Sequence, residues 1–216
     1  MPASVPSADP RPRQGESRQQ GFALLIMLII VVMGSLYAVT SQLEVATRKY
    51  ARDEATFKAL ALAKEALISW SILNGDIGTG TSPRPGDLPC RDSNNDGSQE
   101  SSCTSGSIGR LPWKTLGLDD LRDANSERLW YAVSGNFRRA AINNDAINSD
   151  TDGTLRLYAA DGSTLLTPPG EELAAIIFSA GPPVSGQNRV TGSTVVGNYL
   201  EAANGRDNTT TGGQFI

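Results

Sequence analysis

The sequence predicts an α+β protein in which one long N-terminal helix is followed by an antiparallel β-sheet head. Three observations predict it. Residues 21–39 form an apolar run without a single charge, residues 40–73 contain neither Pro nor Gly, and 19 of the 22 Gly lie at or beyond Gly75, among short strand-like runs.

The apolar run comes first. About 20 apolar residues at 1.5 Å rise cross the hydrocarbon core of a bilayer, so residues 21–39 are long enough to span one. A secretory signal peptide is the rival reading, since Arg11, Arg13 and Arg18 precede the run. The run exceeds the usual 7–15 residues of such a segment, and no small-x-small cleavage site comes after it. The next segment is rich in Ala, Leu, Glu, Lys and Arg, the strong helix formers. Leu43, Tyr50 and Phe57 recur every seven residues, with Ala46, Leu60 and Leu67 on a neighbouring row, so one stripe of the helix stays apolar. Span and stem therefore read as one helix over residues 22–73, about 78 Å long at helical rise. Asn74-Gly75 supplies its C-terminal stop. Residues 1–20 hold Pro2, Pro6, Pro10 and Pro12 among Ser, Arg and Gln, and read as a disordered leader.

A basic leader ending in Gly21, Phe22 at the next position, an apolar span and an amphipathic helical extension resemble the type IV pilin-like proteins, including the pseudopilins of type II secretion. The resemblance implies a pilin-like fold divided into a leader (1–21), a transmembrane and stem helix (22–73) and a periplasmic or extracellular head (74–216). It implies cleavage between Gly21 and Phe22 by a prepilin peptidase, N-methylation of Phe22, the inner membrane and other pilin or pseudopilin subunits as partners, and a place in a type IV pilus or a type II secretion pseudopilus. One position departs from the family. Most major pilins carry Glu at the fifth mature position, where it pairs with the amino terminus of a neighbouring subunit; here the residue is Ile26. In the family that change marks minor, tip-located subunits. The positive-inside count is tied between Arg11, Arg13 and Arg18 on one flank and Arg48, Lys49 and Arg52 on the other. A cytoplasmic N-terminus thus rests on the resemblance and on the two Cys.

Between Gly75 and Gly109 the chain is loop chemistry, with Pro83-Arg84-Pro85-Gly86 and Asn94-Asn95-Asp96-Gly97 as turns. Cys90 and Cys103 bracket the second turn. In an exported head they would pair and close a loop worth about 3 kcal/mol in unfolded-chain entropy; in a reducing compartment they would be two free thiols. Asp92, Asn94 and Asp96, followed by Gly97, match the first half of a calcium loop, in which oxygen ligands at alternate positions converge on a hard cation. Calcium is the one cofactor this pattern suggests. The twelfth loop position is Cys103 where an EF-hand needs Glu, so an EF-hand is excluded, and Asx-Gly turns form without metal. Asn148-Ser149-Asp150-Thr151-Asp152-Gly153 is shaped alike and reads as a turn.

Further along, residues 111–118 are expected to be extended with Trp113 buried. Asn125 or Ser126 is expected to cap a short helix carrying Leu129, Trp130, Val133 and Phe137 on one face. Asp161-Gly162 signals a hairpin between residues 155–158 and 164–166. The apolar run at residues 174–179 is expected to be the most buried strand, Val195-Val196 a short edge strand, and the chain from Glu201 onward mobile. The blocks Arg84-Pro85-Gly86-Asp87-Leu88-Pro89-Cys90, Gly109-Arg110-Leu111-Pro112-Trp113 and Glu127-Arg128-Leu129-Trp130-Tyr131 are similar, in content and order, to those of a subgroup of pilin-like proteins.

Composition narrows the function. Beyond Leu73 there are 17 acidic and 11 basic side chains, a balance that repels phosphates and disfavours nucleic acid. The absence of His removes Ser-His-Asp and Cys-His chemistry. A Ser-Lys dyad would need Lys114, the only Lys beyond the stem, and no carboxylate pair stands out, so no enzymatic activity is expected. Two readings remain: a minor pilin or pseudopilin assembling through its helix, and a membrane-anchored periplasmic binding module on a helical stalk, presenting Trp113, Trp130 and Tyr131.

Overall fold

A computed structural model describes residues 16–73, 84–138, 147–190, 192–209 and 212–216. The chain divides into two compact units, Met1–Tyr50 and Ala51–Ile216. Helix α1 is unbroken over Glu16–Leu73 and belongs to both. Its start at Glu16 places residues 16–20 in the helix, a correction to the expected disorder of residues 1–20: nothing from Glu16 to Gln20 opposes helix, so the turn before the apolar run is helical too. The expected stop at Asn74-Gly75 lies outside the described residues.

In the first unit every described side chain from Gly21 to Tyr50 is exposed. The segment Gly21–Thr40 is long and apolar enough to cross a membrane.

In the second unit α1 packs one face onto the head. Ala59, Ala63 and Leu67 are buried at a spacing of four, flanked by half-buried Thr56, Leu60, Ala66 and Trp70. Two alanines at the centre of this face remove side-chain bulk, so the helix can approach closely. Of the expected apolar stripe, Leu60 and Leu67 turn to the core of this unit while Phe57 stays 69% exposed; in the first unit Leu43 and Tyr50 are 60% and 73% exposed, and the Ala46 side chain lies outside the described residues.

The head is built on a three-stranded antiparallel sheet in the order β1-β2-β4, with β1 at Ile108–Arg110, β2 at Trp130–Val133 and β4 at Ala175–Phe178. β3 (Arg156–Leu157) pairs in parallel with β7 (Gln214–Phe215), and β5 (Ala202–Ala203) pairs antiparallel with β6 (Arg206–Asp207). Arg110 faces Trp130 across one side of β2, and Trp130 faces Phe178 across the other. Leu129, Tyr131 and Val133 join Ala59, Ala63 and Leu67 in one core, while Trp130 and Ala132 join Leu155, Tyr199 and Phe215 in a second. A central strand buried on both faces reads as a continuous apolar run.

Several elements differ from expectation. The helix expected after Asn125 is strand β2, because its apolar residues divide between two cores at period two rather than lining one helical face. β2, not the run at residues 174–179, is the most buried strand: β4 is half-buried along its length and sits at the sheet edge. β1 ends a stretch expected to be loop, and Val196–Asn198 is a 3-10 turn rather than a strand. The segment after Glu201 carries β5, β6 and β7 and buries Phe215. Residues 113–117 form turns, and Trp113 is half-buried. The hairpin at Asp161-Gly162 is reduced to one antiparallel bridge between Tyr158 and Leu165, with Ala159 N–H donating to the Thr164 carbonyl at 2.8 Å. Hydrogen bonds from the Thr164 hydroxyl, then from the Thr164 and Ser163 N–H groups, hold the Asp161 carboxyl down at about 2.

Ala63→Leu forces extra carbons into a closed contact and is expected to cost about 1–3 kcal/mol. Leu62→Ala, on the exposed side of the same turn, should stay within about 0.5 kcal/mol of wild type. Urea unfolding of the detergent-solubilised protein, followed by far-UV circular dichroism, compares the two.

Candidate functional site

The three sequence blocks converge on one region of the head. In the first, Arg84 and Asp87 form a largely buried ion pair at 2.7 Å, and Asp87 turns the chain so that the Pro89 carbonyl accepts a hydrogen bond from the buried Tyr131 hydroxyl at 3.1 Å. Burial pushes the Tyr131 phenol up and keeps it a donor. Cys90 and Cys103 form a disulfide with Cα atoms 5.7 Å apart, and both side chains belong to the core beneath α1.

Asp92 fastens this loop to the sheet. Its N–H and carbonyl exchange hydrogen bonds of 2.9 and 2.7 Å with Arg110. Gly109 is required there, since a Cβ would lie 2.6 Å from the Asp92 carbonyl oxygen. The Asp92 side chain is buried and accepts from the Asn95 N–H at 2.6 Å and the Gly97 N–H at 2.7 Å. Asn94 Oδ1 accepts from the Asp96 N–H, and Asp96 Oδ1 from the Ser98 N–H. Each of these side chains thus serves a backbone donor of its own turn. The bond from Ser98 N–H, then that from the Asn94 amide, holds the exposed Asp96 carboxyl below its ordinary value. Among the described residues no group of three or more His, Cys, Asp or Glu is placed to hold a metal ion. Gly97 adopts φ +89°, and Trp113 covers it so closely that a Cβ would meet the indole at 2.6 Å. Lys114 lies 5.2 Å from the Trp113 ring and donates to the Asp96 carbonyl.

The other predicted positions are open. Gly21 and Phe22 are exposed on α1, and a Gly21 Cβ would meet nothing within 4 Å beyond the adjoining residues and backbone of its own helix. Trp130 and Tyr131, by contrast, are core residues. The aromatic surface expected of a stalked binding module is not formed by them.

Sequence reasoning missed a polar cleft of about 350 Å³ beside the third block. Arg110, Arg122, Arg128 and Arg189 line it together with Glu127 and Tyr199. The Arg110 guanidinium is stacked between Trp130 and Tyr199, 4.0 Å from each ring centre, and donates to the Arg128 carbonyl at 2.8 Å. Burial lowers its pKa, opposed by the charge of Glu127 and by Tyr199. Arg128 forks onto Asp120 at 2.7 and 3.0 Å and reaches Asn95, so the cleft is tied to the Asp92 loop. Arg122 shares the same carboxylate at 2.6 Å. Partial burial pushes the Asp120 pKa up, but the hydrogen bonds and charges of Arg128 and Arg122 together outweigh it and leave the carboxyl below its ordinary value. Only the clustering of Arg122 and Arg128 around Asp120 and Glu127 hinted at this in the sequence; Arg189 comes from another part of the chain.

No family model, no curated protein and no solved structure matches the chain.

Because Asp120 titrates lower folded than unfolded, its contribution to stability is complete above the unfolded value, about 3.9, and fades as pH falls through the folded value. Asp120→Asn should therefore lower stability at neutral pH and flatten the acid limb of the stability profile below about pH 4. Chemical unfolding of both proteins across that range measures it.

Proposed function

We propose that this chain is a minor subunit of a type IV pilin-like assembly, a pilus or a type II secretion pseudopilus, that packs through α1 with the helices of other subunits. On this reading Gly21–Thr40 spans the inner membrane, the N-terminus is cytoplasmic, and the head is periplasmic or carried out on a filament.

The observation that carries the proposal is the second apolar row of α1. Ala59, Ala63 and Leu67 already serve the head, yet Leu43, Tyr50 and Phe57, seven residues apart, remain largely exposed. A helix gains nothing in water from large side chains on a face that never meets a partner, and such rows mark interaction surfaces. The disulfide supports an oxidising compartment for the head. The Gly21-Phe22 junction at the head of an uncharged run supports processing by a prepilin peptidase.

Ile26 refines the role. An ionised carboxylate within a membrane costs about 2.5–3.5 kcal/mol at a helix centre and persists where an amine offsets it. Without that carboxylate, this subunit has nothing to receive the amino terminus of a neighbour, while its own Phe22 amine can still be received by a Glu on another subunit. That asymmetry favours a tip position in low copy.

The intact mass of the membrane-extracted protein should correspond to a chain that begins at N-methylated Phe22. Retention of residues 1–21 in a host with active prepilin peptidase would overturn the pilin-like reading. For the assembly role, Phe57→Asp should abolish incorporation into sheared filaments, scored by quantitative mass spectrometry, while leaving the head folded and disulfide-bonded. The wild-type chain expressed alone should yield no homopolymer, and abundant filaments from it would refute the tip assignment.

A further inference from the structure

The arginine cleft of the head carries more positive charge than its ion pairs offset. Its four guanidinium groups face two carboxylates. Asp120 is shared between Arg122 and Arg128, and Glu127 approaches Arg189 only to 3.8 Å. With Asp92, whose charge also acts on Arg128, the four arginines keep a surplus of one positive charge inside a head whose overall balance is acidic. An acidic surface around a basic recess focuses the local field on the recess and sets it apart from its surroundings.

Arg110 is the least compensated of the four. It is 4% exposed, and among the described residues no carboxylate bonds to it and its buried Nε–H has no acceptor. A buried ion is costly, and the two aromatic faces, the Arg128 carbonyl, Tyr199 and the more distant charge of Glu127 offset part of that cost for Arg110. The cleft is also rigid before anything enters. Arg189 is fixed by the carbonyls of Gly181 at 2.6 Å and Asn198 at 3.0 Å, and Arg110 is clamped between its rings. Donors that are already ordered lose little entropy on binding. The fork of Arg128 on Asp120 shows the geometry the cleft selects, two parallel N–H donors on one planar carboxylate. Its volume of about 350 Å³ accommodates a small ligand.

We propose that this cleft binds a dicarboxylate, presented either as a free small acid or as two adjacent acidic side chains of a partner protein. One carboxylate is met by Arg122 at the rim, where its side chain is 46% exposed, and the second faces the buried Arg110 and Arg189 in the lining of the cleft. The inference is independent of the filament role, since it uses neither α1 nor Phe22.

Isothermal titration calorimetry of the full chain in neutral detergent tests it with succinate, acetyl-Asp-Asp-amide and inorganic phosphate. Saturable binding of succinate or of the peptide is expected, weakening as salt is added. Succinate binding as tightly as the peptide identifies a free acid as the ligand, and a tighter peptide identifies a partner's acidic side chains. Arg122→Gln should weaken binding about tenfold by removing a charge-assisted bond. Glu127→Gln, which removes the competing carboxylate, should tighten it several-fold. Both residues lie at the surface of the cleft, so folding of these variants does not depend on the core. No saturable heat with either carboxylate, phosphate binding as tightly as succinate, or unchanged affinity in both variants would overturn the proposal.

Discussion

Strand β2 is the constraint on which the head depends. Four residues, Trp130 to Val133, are fully buried, and their neighbours on the two faces belong to different cores. On one face Tyr131 and Val133 meet the small-residue face of α1; on the other, Trp130 and Ala132 meet Leu155, Tyr199 and Phe215. A one-residue slip would exchange every side chain between the two cores and put Trp130 where Ala63 leaves room for little. The register is pinned by Arg110 opposite Trp130 and Phe178 on its other side. Through Arg110 the same strand fixes the backbone of Asp92, and through the Tyr131 hydroxyl it fixes Pro89. The disulfide-closed loop is thus tied to the sheet at Asp92 through β1, and the residue just before it, Pro89, is tied through β2.

Much of this was legible in the residues. The charge-free run and the stem without Gly or Pro state a long helix whatever the head does, because local propensity and bilayer dimensions both act within the segment. The Cys pair was legible for a similar reason, its spacing being short and its surroundings loop-like. What failed was the reading of β2. Leu129, Trp130, Val133 and Phe137 fit a helical face as well as they fit a strand buried on both sides, and only partners distant in sequence decide between them. The strands after Glu201 were missed because each pairs only two residues, too few to write a period, and β7 is placed by burying Phe215 in a core drawn from distant parts of the chain.

The candidate sites divide in the same way. Asp92, Asn94 and Asp96 were visible as an oxygen-rich loop, since a turn writes its chemistry in consecutive residues; their oxygens are occupied by backbone N–H groups of that turn. The arginine cleft could not be seen in advance. Arg110 reaches it from β1, Arg122 and Arg128 from the loop before β2, and Arg189 from the chain after β4, and no spacing rule links them. Their conjunction is a product of tertiary folding around Tyr199.

Two surfaces of unlike chemistry result, and they favour different kinds of contact. The exposed row of Leu43, Tyr50 and Phe57 offers apolar area, which is non-directional and tolerant of small shifts between helices. Such a row suits repeated packing, where several neighbours present similar faces. The cleft offers fixed guanidinium forks whose donors must be matched in angle and number. It rewards one geometry and penalises those that leave a buried cation unpaired. The arginines that line the cleft, set into an acidic head, concentrate positive charge in one recess without adding to the exposed apolar surface.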